Sequence, residues 1–399
     1  MDSTSEHGRG LPSIWDFLSQ DEERQGVANV VGMFRDPDPE HPVDAGEFLS
    51  HLDTMDLAAR VWRRYRRPQQ VRWDPEAMLR VVLYFGIMGY HHLTRVWRDL
   101  ALRPELAHTL GLDDVPPYKT LWHFVTVRLG LDGVHELFSR LVELVMSEGQ
   151  ARGLPIGETV SVDAMPIETG PRDKRAQYNP YYKVRGYKAH NVVDTVYGIP
   201  LDVKVTQLNV GESPELPSAL RRAKARGCPL KDVVADTGYD SFENFGVVCQ
   251  ELGARFWMRF PKTAVVDPDG EAERLSMLYE RCWKDDAYEP RAPLERRLAF
   301  MYGRKRRWRE DVGRYHRNEA FRLVLSDPQR WEREYHRRSF IENNQGYWKQ
   351  HIGMTKVEGR PMHHVELRYV IRLVGVLASV LTRLQNGVVS GLSETVGIQ

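Results

Sequence analysis

Thr159-Val160-Ser161-Val162-Asp163 is where the sequence changes its period. Val160 and Val162 alternate with Ser161 and Asp163, and a two-residue repeat belongs to a β-strand with one buried face. On this reading the strand ends in a carboxylate. The pattern upstream is different. Asp74-Pro75 reads as a helix N-cap followed by proline at the first helical position, and Leu79, Val82, Leu83 and Phe85 begin an apolar face at helical spacing. Residues 46–155 therefore read as all-helical. Within them, Val115-Pro116-Pro117-Tyr118 reads as a turn feeding a new helix. The pair of helices around it fits either a helix-turn-helix that meets DNA or a plain bundle.

Downstream of Asp163, Tyr187 to Thr195 and Leu201 to Val210 are β-rich and separated by Val-Tyr-Gly-Ile-Pro, which predicts a hairpin. Ser213-Pro214 opens a helix that Gly227 stops. Lys231 to Asp236 is a short buried strand that again ends in aspartate. A helix over Ser241–Leu252 and a strand over Ala254–Phe260 follow. The order β, β, β, α, β, α, β predicts a mixed sheet with helices against it. Residues 261–326, punctuated by Pro261, Pro268, Pro290 and Pro293, read as an irregular insertion. Asp327-Pro328 caps a long polar helix expected to reach about His351. Leu367, Val370, Ile371, Val374, Leu377, Ala378 and Leu381 mark a last amphipathic helix that closes the core. The fold class is α+β: an all-α N-terminal region, a mixed-sheet core with a small insertion, and C-terminal helices. The expected divisions are 1–45, 46–155, 156–260, 261–326 and 327–390.

Charge is polarised along the chain. The whole, 399 residues with 56 Lys+Arg against 55 Asp+Glu, is nearly neutral. Residues 1–60 carry thirteen acidic residues against four Arg, whereas 291–350 carry sixteen basic against eight acidic, with Arg304-Lys305-Arg306-Arg307 near the middle. The second segment suits an anionic partner, with Arg306 as a candidate contact, or a solvated helix face. Cys228, Cys249 and Cys282 are odd in number and widely spaced, which excludes a disulfide framework and a zinc ribbon. The apolar runs Val81–Gly89 and Val370–Leu381 are too short or too interrupted to span a bilayer. The N-terminus shows no secretory signal, so a cytoplasmic location is expected.

Two strands that end in aspartate within one sheet would bring Asp163 and Asp236 to roughly 5 Å. Carboxylates that close repel unless a cation lies between them, although turn or N-cap roles would also account for each singly. A third acid comes from the helix after Pro328. Tyr335, Arg338, Glu342 and Lys349, at offsets of 3, 7 and 14 from the tyrosine, fall within an arc of roughly 60° on one helical face. His91-His92 and His363-His364 lack the i, i+4 spacing of zinc ligands.

Taken in order, V-S-V-D at Asp163, G-Y-K-A-H-N-V-V-D-T from Gly186, G-I-P-L from Gly198, N-V-G-E-S-P from Asn209, V-V-A-D-T-G-Y-D around Asp236 and the Tyr335–Lys349 helix resemble the DDE transposases of bacterial and archaeal insertion sequences. More narrowly, the last motif resembles their Y-R-E-K subgroup. The resemblance implies a ribonuclease H-like core in which Asp163, Asp236 and Glu342 are the catalytic acids and bind two Mg²⁺ or Mn²⁺ ions for in-line phosphoryl transfer. It implies DNA as partner, phosphate-holding roles for Tyr335, Arg338 and Lys349, a homodimer that synapses two transposon ends, and no membrane. Lys188, with Lys174, Arg175, Lys183 and Arg185, forms a basic cluster that fits a DNA path or a solvated loop. The subgroup stacks a flipped base on a tryptophan of the insertion, for which Trp283, Trp308, Trp257 and Trp331 are candidates. Two rival readings remain: a ribonuclease H-like nuclease without strand transfer, and an inactive DNA-binding derivative.

Overall fold

A computed structural model describes residues 44–66, 71–170, 172–260, 305–339, 341–342, 345–346, 348, 354, 361–389 and 391–392. The N-terminal region is helical, as its apolar spacing predicts: Ala45–Ser50 (α1), Met55–Trp62 (α2), Pro75–Ile87 (α3), Leu93–Leu102 (α4), Pro104–Thr109 (α5), Tyr118–His123 (α6) and Gly130–Ala151 (α7). Asp74 caps α3 by accepting from the Glu76 N–H at 3.1 Å, and Pro75 follows it. A π-helical turn, Phe124–Leu129, carries α6 into α7.

The sheet has six strands: Thr159–Glu168 (β1), Gln177–Asn179 (β2), Val184–Asp194 (β3), Pro200–Gln207 (β4), Asp232–Ala235 (β5) and Arg255–Met258 (β6). β3 pairs antiparallel with β1 on one side, and with β4 and β2 on the other. β5 runs parallel to β1, and β6 parallel to β5. Four antiparallel strands, β1 to β4, followed by two parallel ones give the mixed sheet of a ribonuclease H-like core. Leu216–Ala225 (α8) packs on β3 and β4, and Phe242–Phe245 (α9) leads into a π-helical turn at Gly246–Glu251. Lys305–Ser326 (α10), Pro328–Tyr335 (α11) and Met362–Gln385 (α12) complete the described helices.

α12 lies between the halves of the molecule, against α3 and α7 on one side and β4 on the other. Every residue from Tyr369 to Leu384 is buried. A helix enclosed all round is a core element, not a surface one. It meets α3 backbone to backbone: a Cβ on Gly375 would stand 2.2 Å from the Gly86 carbonyl carbon, and one on Gly86 would stand 2.4 Å from the Ile371 carbonyl oxygen. Only glycine on both helices permits that crossing. Among the described residues no helix is long and apolar enough to cross a membrane.

The structure departs from the sequence reading in three places. β1 does not end at Asp163 but continues to Glu168, because β3 goes on pairing with it as far as Gly186. β5 has stopped at Ala235, so the far side of β1 is unpaired where Pro166 occurs, and proline is tolerated at such an edge. The end of the expected insertion is regular: α10 packs on α9 and the π-helical turn. The polar helix is broken, since α11 stops at Tyr335 and a 3₁₀ turn spans His336–Arg338. The acidic head up to residue 43 and residues 261–304 lie outside the described residues.

Candidate metal centre

The register of two strands positions the first two acids. Val162 lies beside Ala235 in the parallel β1–β5 pair, and the next residue on each strand is an aspartate. Asp163 is held by the Ala164 N–H at 2.9 Å, and Asp236 by the Gly238 N–H at 2.8 Å, where it caps the 3₁₀ turn Thr237–Tyr239. A third carboxylate comes from an unexpected direction. Glu212, in the turn after β4, brings its side chain to Asp163 and Asp236 so that ligand oxygens of all three lie within 4.8 Å of one another. Oxygen-only donors of this kind fit Mg²⁺ or Mn²⁺ rather than a softer metal.

Three like charges this close need compensation. Burial pushes the Asp163 carboxyl up to about 6, the Ala164 N–H and Arg338 work against that, and the Asp236 and Glu212 charges add to it. Asp236 is also raised, first by burial, with Glu212 and Glu342 adding and Arg338 opposing. Two cations face the cluster. The buried Lys188 ammonium lies 2.8 Å from Glu212 Oε1 and donates to the Val210 carbonyl at 3.2 Å. Tyr182 donates to the same Glu212 oxygen at 3.3 Å. Arg338 is ion-paired with Glu342 Oε1 at 3.1 Å and donates to the Tyr335 hydroxyl at 3.5 Å, while its buried Nε has no partner. Burial works against the Arg338 charge, but Tyr335, Glu342, Asp163 and Asp236 outweigh it and hold the guanidinium above its ordinary value.

The expected residues are thus distributed as follows. Asp163 and Asp236 come together. Glu342 is on the same side through Arg338, but its side chain is 54% exposed and stands outside the mutually close trio. Tyr335 is buried against Trp257 and Trp331, with the Arg259 guanidinium 4.9 Å from its ring centre. Lys188 is enclosed and bound to Glu212, while Lys174, Arg175, Lys183 and Arg185 are exposed. Lys349 and Trp283 lie outside the described residues. Arg306 and Trp308 fall on α10, where only the backbone is described. Trp257 and Trp331 are core residues: their indole N–H groups donate to Asp232 Oδ1 at 2.7 Å and the Met258 carbonyl at 3.1 Å, so neither offers a free face to a base. Glu212 is the residue that sequence reading missed. Its only signal was its place in N-V-G-E-S-P, since a turn before a helix says nothing of what its side chain reaches.

A second feature lies in the helical region. A hollow of about 580 Å³ is lined by Arg66, Arg72, Arg128 and His123 together with Tyr65 and Trp73, and among the described residues no acidic one lines it.

Against known proteins, a family model described as "Transposase DDE domain" matches residues 155–377. The chain has no significant match among curated proteins. Among solved structures it is similar to a piggyBac transposase synaptic complex with hairpin DNA, seen by cryo-electron microscopy. The identity is 12%, the alignment covers 84% of this chain and 78% of that one, and the TM-score is 0.28.

Proposed function

Since the chain belongs to the transposase DDE domain family, we propose that it is a DNA transposase of the Y-R-E-K subgroup, which cuts the ends of its own insertion sequence and joins them to target DNA. The observation that carries this reading is the juxtaposition of Asp163 and Asp236, two carboxylates kept together despite repulsion and burial. Magnesium or manganese held on Asp163 and Asp236, with Glu342 as the third acid, supplies Lewis-acid stabilisation of the attacking and leaving oxygens of an in-line displacement.

The protein's own groups do the rest. Arg338, with an unpartnered Nε beside a fork already turned to the cluster, presents the geometry that grips a phosphate. The Tyr335 hydroxyl, and Lys349 by the family resemblance, would hold further phosphates, positioning the backbone without reading bases. Water attacks the phosphodiester at the element's end first. The freed 3′-hydroxyl then attacks target DNA, and no covalent bond to protein is made. The arginine-lined hollow between the α2–α3 connection, α3 and α6 supports a DNA-contacting role for residues 46–155, and the pairing of two ends calls for a dimer.

The decisive test is joining of a precut element end to plasmid DNA by the full-length protein in Mg²⁺. A transposase yields covalently joined product. Cleavage without joining would make it a nuclease, and binding without either would make it an inactive derivative.

A further inference from the structure

Glu212 has no part in the reaction as set out above, yet it is the third member of the tightest acidic cluster among the described residues, whereas Glu342 is not a member. A group of acids alone does not make a site. The second observation is Tyr239, which is 1% exposed and whose hydroxyl has no hydrogen-bond partner. Tyr239 closes the 3₁₀ turn that Asp236 caps, and its own N–H donates to the Asp236 carbonyl at 3.2 Å. A buried hydroxyl beside the cluster that bonds to nothing is costly unless another polar group completes the set. A hydrated cation supplies that group: its charge satisfies the acids, and its polarised water donates to the phenol oxygen. Meanwhile Glu342 is engaged elsewhere, on Arg338 at 3.1 Å. The Lys188 ammonium on Glu212 offsets one charge of the three.

We propose that the DNA-free protein holds its first divalent cation on Asp163, Glu212 and Asp236, with the Tyr239 hydroxyl accepting from that ion's water, and that Glu342 becomes a ligand only when a DNA phosphate takes Arg338 from it. The inference rests on the reading of this centre as a transposase metal site, and it adds both a ligand and an order of assembly.

Mn²⁺ binding to the full-length protein tests it, read as loss of the free-ion signal in electron paramagnetic resonance, with circular dichroism as a check on folding. Without DNA, Glu212→Gln should weaken Mn²⁺ binding at least about tenfold, as loss of a ligand or its support does. Glu342→Gln should leave it unchanged within about twofold, and Tyr239→Phe should weaken it about threefold, the worth of one modest hydrogen bond. With duplex DNA added, Mn²⁺ binding should become sensitive to Glu342→Gln. Equal losses in Glu212→Gln and Glu342→Gln without DNA, or no loss in Glu212→Gln, would overturn the assignment. Asp163→Asn separates the two levels: if it left Mn²⁺ binding intact, the metal-centre reading itself would fail.

Discussion

Asp163 and Asp236 stand side by side because Val162 and Ala235 are partners in a parallel ladder, so each strand delivers its carboxylate at the following position. The arrangement serves chemistry at the expense of stability. Asp163→Asn or Asp236→Asn should lower DNA cleavage by at least about a thousandfold. The same substitutions should stabilise the metal-free protein by about 1 kcal/mol, since one of three repelling charges is gone. Plasmid nicking and calorimetry in chelator check the two halves, and a drop in both activity and stability would speak against the cluster as functional.

Arg338 is the cation on which Asp163, Asp236 and Glu342 all act. Arg338→Ala should destabilise the metal-free protein by about 1–3 kcal/mol by leaving acids uncompensated. It should also reduce the slope of log K against log salt for DNA binding by about 0.9, the share of one phosphate contact. Arg338→Lys should restore stability better than cleavage, because an ammonium replaces the charge but not the fork.

Protonation acts on this fold in opposite directions. His190, bonded to Thr206, and His316, bonded to Gln250, are lowered by burial from 6.5 to about 4. A lowered histidine contributes stability above pH 6.5 and loses it as pH falls toward 4. Asp194 is raised by burial from 3.8 to about 6, although it accepts from the Gly157, Val196 and Tyr197 N–H groups. Its contribution is complete below pH 3.8 and is lost as pH rises through 6. His316→Gln should therefore make the protein relatively more stable at pH 4 than at pH 7, compared with the parent, and Asp194→Asn relatively less. Urea midpoints at the two pH values decide; parallel shifts in both variants would refute the assignment.

Gly375→Ala should destabilise by about 1–3 kcal/mol or more, because its methyl group would meet α3 main chain, which cannot move like a side chain. A Gly86→Ala, Gly375→Ala double variant should be no milder than either single one. Thermal midpoints near the parent's would show that the helices can separate at little cost.

Much of this was legible because it is local. Alternation gave the strand around Val160, a short buried run gave the one around Val233, Asp74-Pro75 gave the start of α3, and threefold and fourfold spacing gave α12. What was not legible depends on partners. The length of β1 beyond Asp163 is set by β3, a neighbour whose register no local pattern reveals. Trp257 and Trp331 carry the same side chain whether they face a base or the core, and only packing distinguishes these. Glu212 reaches the site across the sheet from a turn, a contact fixed by topology rather than by spacing along the chain.

The shared burial of α12 has a bearing on how the protein is made. Because the last long helix is the spine on which both the N-terminal helices and the sheet close, neither half is finished until residues near 385 have been synthesised. A ribosome that aborts earlier, or a frameshift in the encoding element, releases a chain with its two aspartates but no scaffold to hold them in register.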